Sequence, residues 1–309
     1  MSCLKTPVLL IVYNRPETTR AVVDSIRSVK PTRLFVFADG WRAPRDEERC
    51  LETRQVVADS VDWDCKLSLN YQDHNLGCGP GPSFAITWFF SQVEHGIILE
   101  DDCVACPEFF FFCQELLERY ASSSKIMHIS GTNVEVATQY CSSSYYFSRY
   151  PLPWGWATWR RAWEKFDLHL DYWPSTKRAN LLRDRFSSDR EYKYWSRLWD
   201  SIRCERFNDI WDAQWAYACR AHRGLSIVPN TNLIHNIGWG NDATHHKTKQ
   251  CYLGLPIASL DNPLVHPLSY DHCEEADQNV RQLLFPNVSL IKKCLLRLES
   301  HFRRILNVS

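Results

Sequence analysis

The 309-residue sequence has no surplus of either charge: 36 Lys and Arg stand against 36 Asp and Glu. A nucleic-acid binder usually carries a basic excess, so that class is set aside. Long apolar runs are missing too. Pro7–Tyr13 and Phe109–Cys113 are among the longest, and both fall far short of the roughly 20 residues of a membrane span. The first has neither a basic leader nor a small-residue cleavage site, which predicts no signal peptide. A cytoplasmic location and reduced thiols for the 13 Cys follow from that expectation. No second pair at zinc-site spacing follows Cys103-Val104-Ala105-Cys106, so these read as small, half-buried side chains after a strand. There is no internal repeat. A composition of 45% hydrophobic and 23% charged residues excludes wholesale disorder.

What is abundant is aromatic: 13 Trp, 13 Tyr and 15 Phe. Flat apolar rings suit sugars and bases, and they fill cores equally well. The first hundred residues alternate strand and helix patterns. Short apolar runs at Pro7–Tyr13, Arg33–Ala38 and Gly96–Leu99 read as strands, and Lys66–Tyr71 reads as a strand between the last two. Thr18–Val29 and Glu47–Val61 carry apolar residues at helical spacing, and Ser83 is placed to cap a helix running to Val93. This alternation predicts an α/β fold, a Rossmann-like, mostly parallel sheet flanked by helices. Further on, Glu108–Tyr120, 189–204 and 212–222 read as helices, and Ile126–Ser130 and Leu225–Val228 as strands. Residues 250–287 read as an irregular wrap, and Val288–Leu306 as a basic amphipathic helix. The regular strand-helix alternation occupies 1–104, and a looser pattern occupies 105–249 of the same domain. A carboxyl-terminal extension at 250–309 completes the chain.

In open α/β sheets, ligands bind beyond the carboxyl ends of the strands. All four predicted strand ends in the first half carry polar chemistry. The sharpest is Glu100-Asp101-Asp102, directly after a buried strand. Three adjacent acids are costly to hold together unless a cation offsets them. Mn2+ or Mg2+ on a nucleotide diphosphate takes one or two carboxylates and fills its shell with phosphate oxygens and water. A solvated acidic turn explains that triplet alone, but explains all four ends together poorly. Asn14-Arg15 ends the first strand, where a guanidinium could reach phosphate. Asp39 ends the second, where it could accept from a base or ribose. Asn75-Leu76-Gly77 follows the third, with backbone amides able to approach a ligand closely.

In this order the motifs resemble the GT-A glycosyltransferases, with N-acetylglucosaminyltransferase I and its bacterial relatives as the nearest pattern. The matching pieces are Val12-Tyr13-Asn14-Arg15, Asp39, Glu100-Asp101-Asp102 with Pro107-Glu108-Phe109-Phe110, Pro153-Trp154-Gly155-Trp156 and Trp211-Asp212. They span about residues 7–246. The resemblance implies a metal-dependent enzyme moving a sugar from a nucleotide-diphosphate sugar, UDP-sugar favoured, to a glycan or glycoconjugate hydroxyl with inversion. It implies donor contacts at Tyr13, Asn14, Arg15, Asp39, Asn75, Gly77, Glu100 and Asp101, with metal at Asp102. Asp212 is implied as the base and Trp154, Gly155 and Trp156 as acceptor contacts. GT-A enzymes often bring a late His to the metal or diphosphate, and His245 in Asp242-Ala243-Thr244-His245-His246 fills that place. The family's base region has adjacent acids before its Trp, whereas this chain reads Trp211-Asp212-Ala213-Gln214-Trp215, which leaves Asp209 as a rival.

Other classes fit less well. A nucleotidyltransferase normally places a Gly-rich loop after the first strand, where this chain has Asn14-Arg15-Pro16-Glu17. A haloacid-type phosphatase needs Asp-x-Asp there. A non-catalytic glycan-binding protein has little use for acids at every strand end. Trp159 and Trp163, four apart, read as core packing on a helix. Five basic residues against Glu299 give Val288–Leu306 a charge of +4, which suits either peripheral contact with an anionic inner membrane face or docking on the catalytic domain.

Overall fold

The computed structural model describes residues 3–134, 140–206, 209–238 and 254–284. His245 and the 288–306 segment lie outside these residues. In chain order the strands are β1 Val8–Val12, β2 Arg33–Ala38, β3 Lys66–Tyr71, β4 His95–Glu100, β5 Cys103–Ala105, β6 Ile126–Ser130, β7 Tyr145–Ser148, β8 Trp156–Trp159, β9 Leu225–Pro229 and β10 Ile234–Asn236. The α-helices are α1 Pro16–Arg27, α2 Glu47–Ser60, α3 Pro80–Phe90, α4 Pro107–Arg119, α5 Arg160–Trp163, α6 Trp173–Arg178, α7 Asp189–Arg203, α8 Asp212–Ala221 and α9 Glu274–Leu284.

Eight strands form one sheet in the order β3-β2-β1-β4-β8-β6-β9-β7. β1, β2, β3 and β4 pair in parallel, as do β6 and β9. β8 pairs antiparallel with both β4 and β6, and β7 antiparallel with β9. The expected α/β, mostly parallel sheet flanked by helices is therefore what the chain forms. β1 shows why its sequence is apolar throughout: both faces are covered. Val8, Leu10 and Val12 pack with Val22, Val23 and Ile26 of α1 and Phe109 and Phe110 of α4. Leu9 and Ile11 face the other way, onto Ala85, Ile86 and Phe89 of α3.

Some elements differ from expectation. α3 begins at Pro80 rather than after Ser83, whose hydroxyl donates to the Pro80 carbonyl inside the first turn. Pro80 and Pro82 lie where missing N–H groups cost nothing, so the Gly/Pro loop runs into the helix early. Trp163 is on α5, but Trp159 closes β8; both are buried. The wrap contains α9, anchored by Asp277, whose buried carboxylate accepts from the Ser148 hydroxyl at 2.6 Å and from Arg149 Nε at 3.0 Å. Among the described residues, no helix is long and apolar enough to cross a membrane.

Candidate active site

A cleft of about 540 Å³ opens on the rim formed by the carboxyl ends of β1, β2 and β4. It is lined by Tyr13, Asn14, Arg15, Asp39, Asn75, Gly77, Glu100, Asp101, Asp102, Trp154 and Asp212. The strand ends on its floor thus come together with the start of α8.

Glu100 is the last residue of β4, paired with Ile11, and Asp101 and Asp102 follow as the chain turns. The Arg15 guanidinium reaches Asp101 Oδ1 at 3.2 Å and Asp102 Oδ2 at 3.0 Å, and the Tyr13 backbone N–H donates to Asp101 Oδ2 at 3.2 Å. Arg15 was expected at phosphate; in this structure it braces the acids. Burial works against its charge, but Asp101, Asp102 and Glu100 outweigh that and raise its pKa. One guanidinium does not balance three carboxylates. Burial, then the charges of Asp102, Asp101 and Asp212, push Glu100 up to about 8. Burial also raises Asp101, to about 6, with Arg15 opposing it and Asp102 reinforcing it.

A carboxyl group with a raised folded pKa binds a proton that the unfolded chain releases. Stability therefore falls as pH rises, from Glu100's ordinary 4.5 to about 8 and from Asp101's ordinary 3.8 to about 6. Chelator-treated protein is expected to lose melting temperature steadily between those limits. Glu100→Gln should flatten the slope above about pH 6, where Asp101 no longer contributes. Thermal melts across pH check this; identical slopes for the two proteins would count against the buried acid cluster.

A two-stranded ribbon, β5 with β10, holds the other side of Asp102. The Ile237 N–H donates to the Asp102 carbonyl at 2.9 Å. A side chain at Gly238 would bring its Cβ to 1.9 Å from Asp102 Oδ2, so only glycine lets the chain pass this carboxylate. Sequence reasoning missed Gly238 because its partner is 136 residues away in sequence. Among the described residues, no group of three or more His, Cys, Asp or Glu side chains closes around a point that could hold a metal.

Asp39 also lines the cleft, but its carboxylate is engaged by the protein. Oδ1 accepts from the N–H groups of Gly40 at 2.9 Å and Leu76 at 2.8 Å; Oδ2 accepts from Gly77 N–H at 3.2 Å and Asn75 Nδ2 at 3.1 Å. The loop amides expected to meet a ligand are thus folded back onto Asp39. Burial raises the Asp39 pKa in spite of these donors.

The cleft lining also includes Pro153, Trp154, Asp209, Ile210, Trp211 and Asp212. Asp212 opens α8, is exposed, and its Oδ1 accepts the Ala213 N–H at 2.9 Å. Asp209 is likewise exposed and lies against Gly77. α8 is a firm platform: Trp211 and Trp215 pack under the sheet, while Ala213, Ala216 and Tyr217 pack against Trp173 and Trp199.

Two expected acceptor residues are not in the cleft. Gly155 is buried, with φ of +66° and Ile234 against its α-carbon, a conformation and a spacing that suit glycine. That turn reverses the side-chain alternation, so Trp154 faces the cleft while Trp156 enters β8 and the core. Trp156 is 0% exposed and stacks on Trp211 at 5.7 Å and on His128 at 4.9 Å. His128 is kept neutral, its pKa lowered by burial to about 3, with Trp215 Nε1 donating to its Nδ1. Trp156→Ala is expected to cost about 3–5 kcal/mol of stability. Urea denaturation measures it; a loss under about 1 kcal/mol would return Trp156 to the surface.

The cleft also contains residues that sequence reading passed over: Arg42, Arg45 and Asp46 after β2, Cys78, Pro82 and Asn236. The rule that ligands gather beyond strand ends was the available signal for the Arg42–Asp46 segment.

No protein-family profile and no curated protein matches the sequence. Among solved structures, the chain is similar to an apo UDP-glucose pyrophosphorylase, at 9% identity and a TM-score of 0.38, covering 72% of this chain and 90% of that one. A UDP-glucose pyrophosphorylase bound to UDP-glucose gives 10% identity and a TM-score of 0.33, covering 52% and 78%. A cytidylyltransferase from Leptospira borgpetersenii gives 9% and 0.33, over 52% of this chain and 63% of that chain. The chain thus spans less than two thirds of that cytidylyltransferase. At these values the likeness says nothing about activity.

Proposed function

We propose that this chain is a glycosyltransferase, moving a sugar from a nucleoside-diphosphate sugar, a UDP-sugar in the first instance, to a hydroxyl of a glycan or glycoconjugate. The observation that carries this reading is one cleft shared by two separate acidic groups. The Glu100–Asp102 knot occupies the strand-end floor, and Asp212, the first residue of α8, lines the same cleft, as does Trp154. Displacement at an anomeric carbon needs charge offset at the departing diphosphate and a base at the attacking hydroxyl, and a single displacement inverts the centre. In this reading Asp212 takes the proton, and Trp154 offers a ring face to the acceptor sugar.

A divalent cation, Mn2+ or Mg2+, fits the chemistry of the floor. The ligands are hard oxygens, and Arg15 alone leaves the acids short of positive charge. Asp102 would hold it, with Glu100 and Asp101 toward its waters or the donor's hydroxyls, and His245 as a further partner. When bound, it supplies Lewis-acid offset for the leaving diphosphate.

Nucleotidyl transfer, the activity named for the similar structures, is the second reading. The β1–α1 turn, Tyr13-Asn14-Arg15-Pro16, has no glycine to wrap a triphosphate, and Arg15 is turned onto the acids. One experiment separates the two. The protein is incubated with Mn2+, UDP-sugars and glycan acceptors, and separately with UTP and sugar 1-phosphates. UDP release in the first supports the proposal. Pyrophosphate release in the second alone would transfer the assignment, and neither product would leave a binding protein.

A further inference from the structure

Two of the groups expected at the nucleotide, Asp39 and Arg15, are already engaged. Four protein donors fill the acceptor sites of Asp39, and Arg15 is held by Asp101 and Asp102. Polar capacity on the cleft lining is found instead on the loop after β2. Arg42 is exposed, and its guanidinium makes a long contact, Nε to Asn75 Oδ1 at 3.5 Å. Asp46 accepts from the Tyr13 hydroxyl at 3.3 Å, while Arg45 Nε at 3.8 Å is beyond hydrogen-bond range. The Tyr13 hydroxyl also accepts the Arg42 backbone N–H at 3.2 Å, so one phenol fixes both residues. Tyr13 is itself anchored to the acid knot through its backbone N–H on Asp101. Burial pushes the Tyr13 phenol up to about 12, which keeps it a donor near neutral pH.

We propose that Arg42 and Asp46, fixed by Tyr13, recognise the nucleobase of the donor. Asp46 accepts from a ring N–H, and Arg42 donates to the carbonyl beside it. This rests on the nucleoside-diphosphate-sugar reading above and deepens it. Uracil offers that pairing, with N3–H lying between two carbonyls. Cytosine presents an unprotonated N3 in the same place, which would set one lone pair against another. A site built to pair a polar group rejects the analogue that cannot complete the pair.

Titration calorimetry with UDP and CDP, in Mn2+, tests this on the full chain, Arg42→Ala and Asp46→Asn. Wild-type protein should prefer UDP. Each variant should bind UDP about tenfold or more weakly. Asp46→Asn should also lose the preference for UDP over CDP, because an amide can donate to cytosine N3. The ratio of the two affinities does not depend on the fraction of protein that is folded. Wild-type protein that binds neither nucleotide would overturn the donor reading and this inference with it. UDP affinity and UDP-to-CDP ratio unchanged in both variants would overturn the inference alone and leave the donor reading standing.

Discussion

Asp102→Ala is expected to reduce turnover by more than a hundredfold and to abolish the dependence of donor binding on Mn2+. Even residues that only support a metal ligand typically cost about 10–100-fold when removed, so the ligand itself should cost more. The carboxylate also meets Arg15 at 3.0 Å, the Cys103 thiol at 3.4 Å and the close approach of Gly238. Asp102→Asn, of nearly the same shape, separates charge from packing. It should retain the melting temperature and still lose the metal dependence. Calorimetry with UDP, with and without Mn2+, checks both variants. Donor binding that responds to Mn2+ as strongly as in the wild type would remove Asp102 from the metal.

Asp212→Asn should keep donor affinity and lose turnover by roughly a hundredfold or more, since positioned proton transfer typically contributes about 10²–10⁴. α8 is packed on two sides by large aromatic side chains, so the change should leave the helix in place. Single-turnover rates beside UDP affinities make the comparison. Asp209 lines the same cleft. If Asp209→Asn shows the loss while Asp212→Asn turns over normally, the base is Asp209.

The first half of the sheet was legible because its physics is local. A strand covered on both faces is an unbroken apolar run, and β1, β2 and β4 lie where those runs lie; β3, an edge strand with no buried residue, lies where a mixed run was read as a strand. The short strands β5, β7, β8 and β10 were not read, since three or four residues carry too little period and their pairings are distant in sequence. α9 was hidden in a polar stretch whose buried residues, Ala276, Asp277 and Val280, are few. The candidate site divides the same way. Strand-end acids are visible in sequence, and Asp39, Glu100, Asp101 and Asp102 do gather at one cleft. What they bond to is not visible. That Asn75, Leu76 and Gly77 fold back onto Asp39, or that Arg15 turns inward, depends on chain segments tens of residues apart. Trp154 and Trp156 have almost the same sequence surroundings; a single left-handed glycine between them decides which one meets solvent.

β8 has a consequence for engineering. It runs against β4, with Trp156 beside Ile98, so its beginning arrives at the rim where the parallel strands finish. A peptide spliced in just ahead of β8 would therefore emerge over the cleft without lengthening any of the β1–β4 connections. Such an insertion has to keep Arg149, Tyr150 and Leu152, which are bonded or packed into the fold, and Gly155, whose turn aims Trp154. Libraries diversified there could be selected for new ligands while the floor of acids is inherited unchanged.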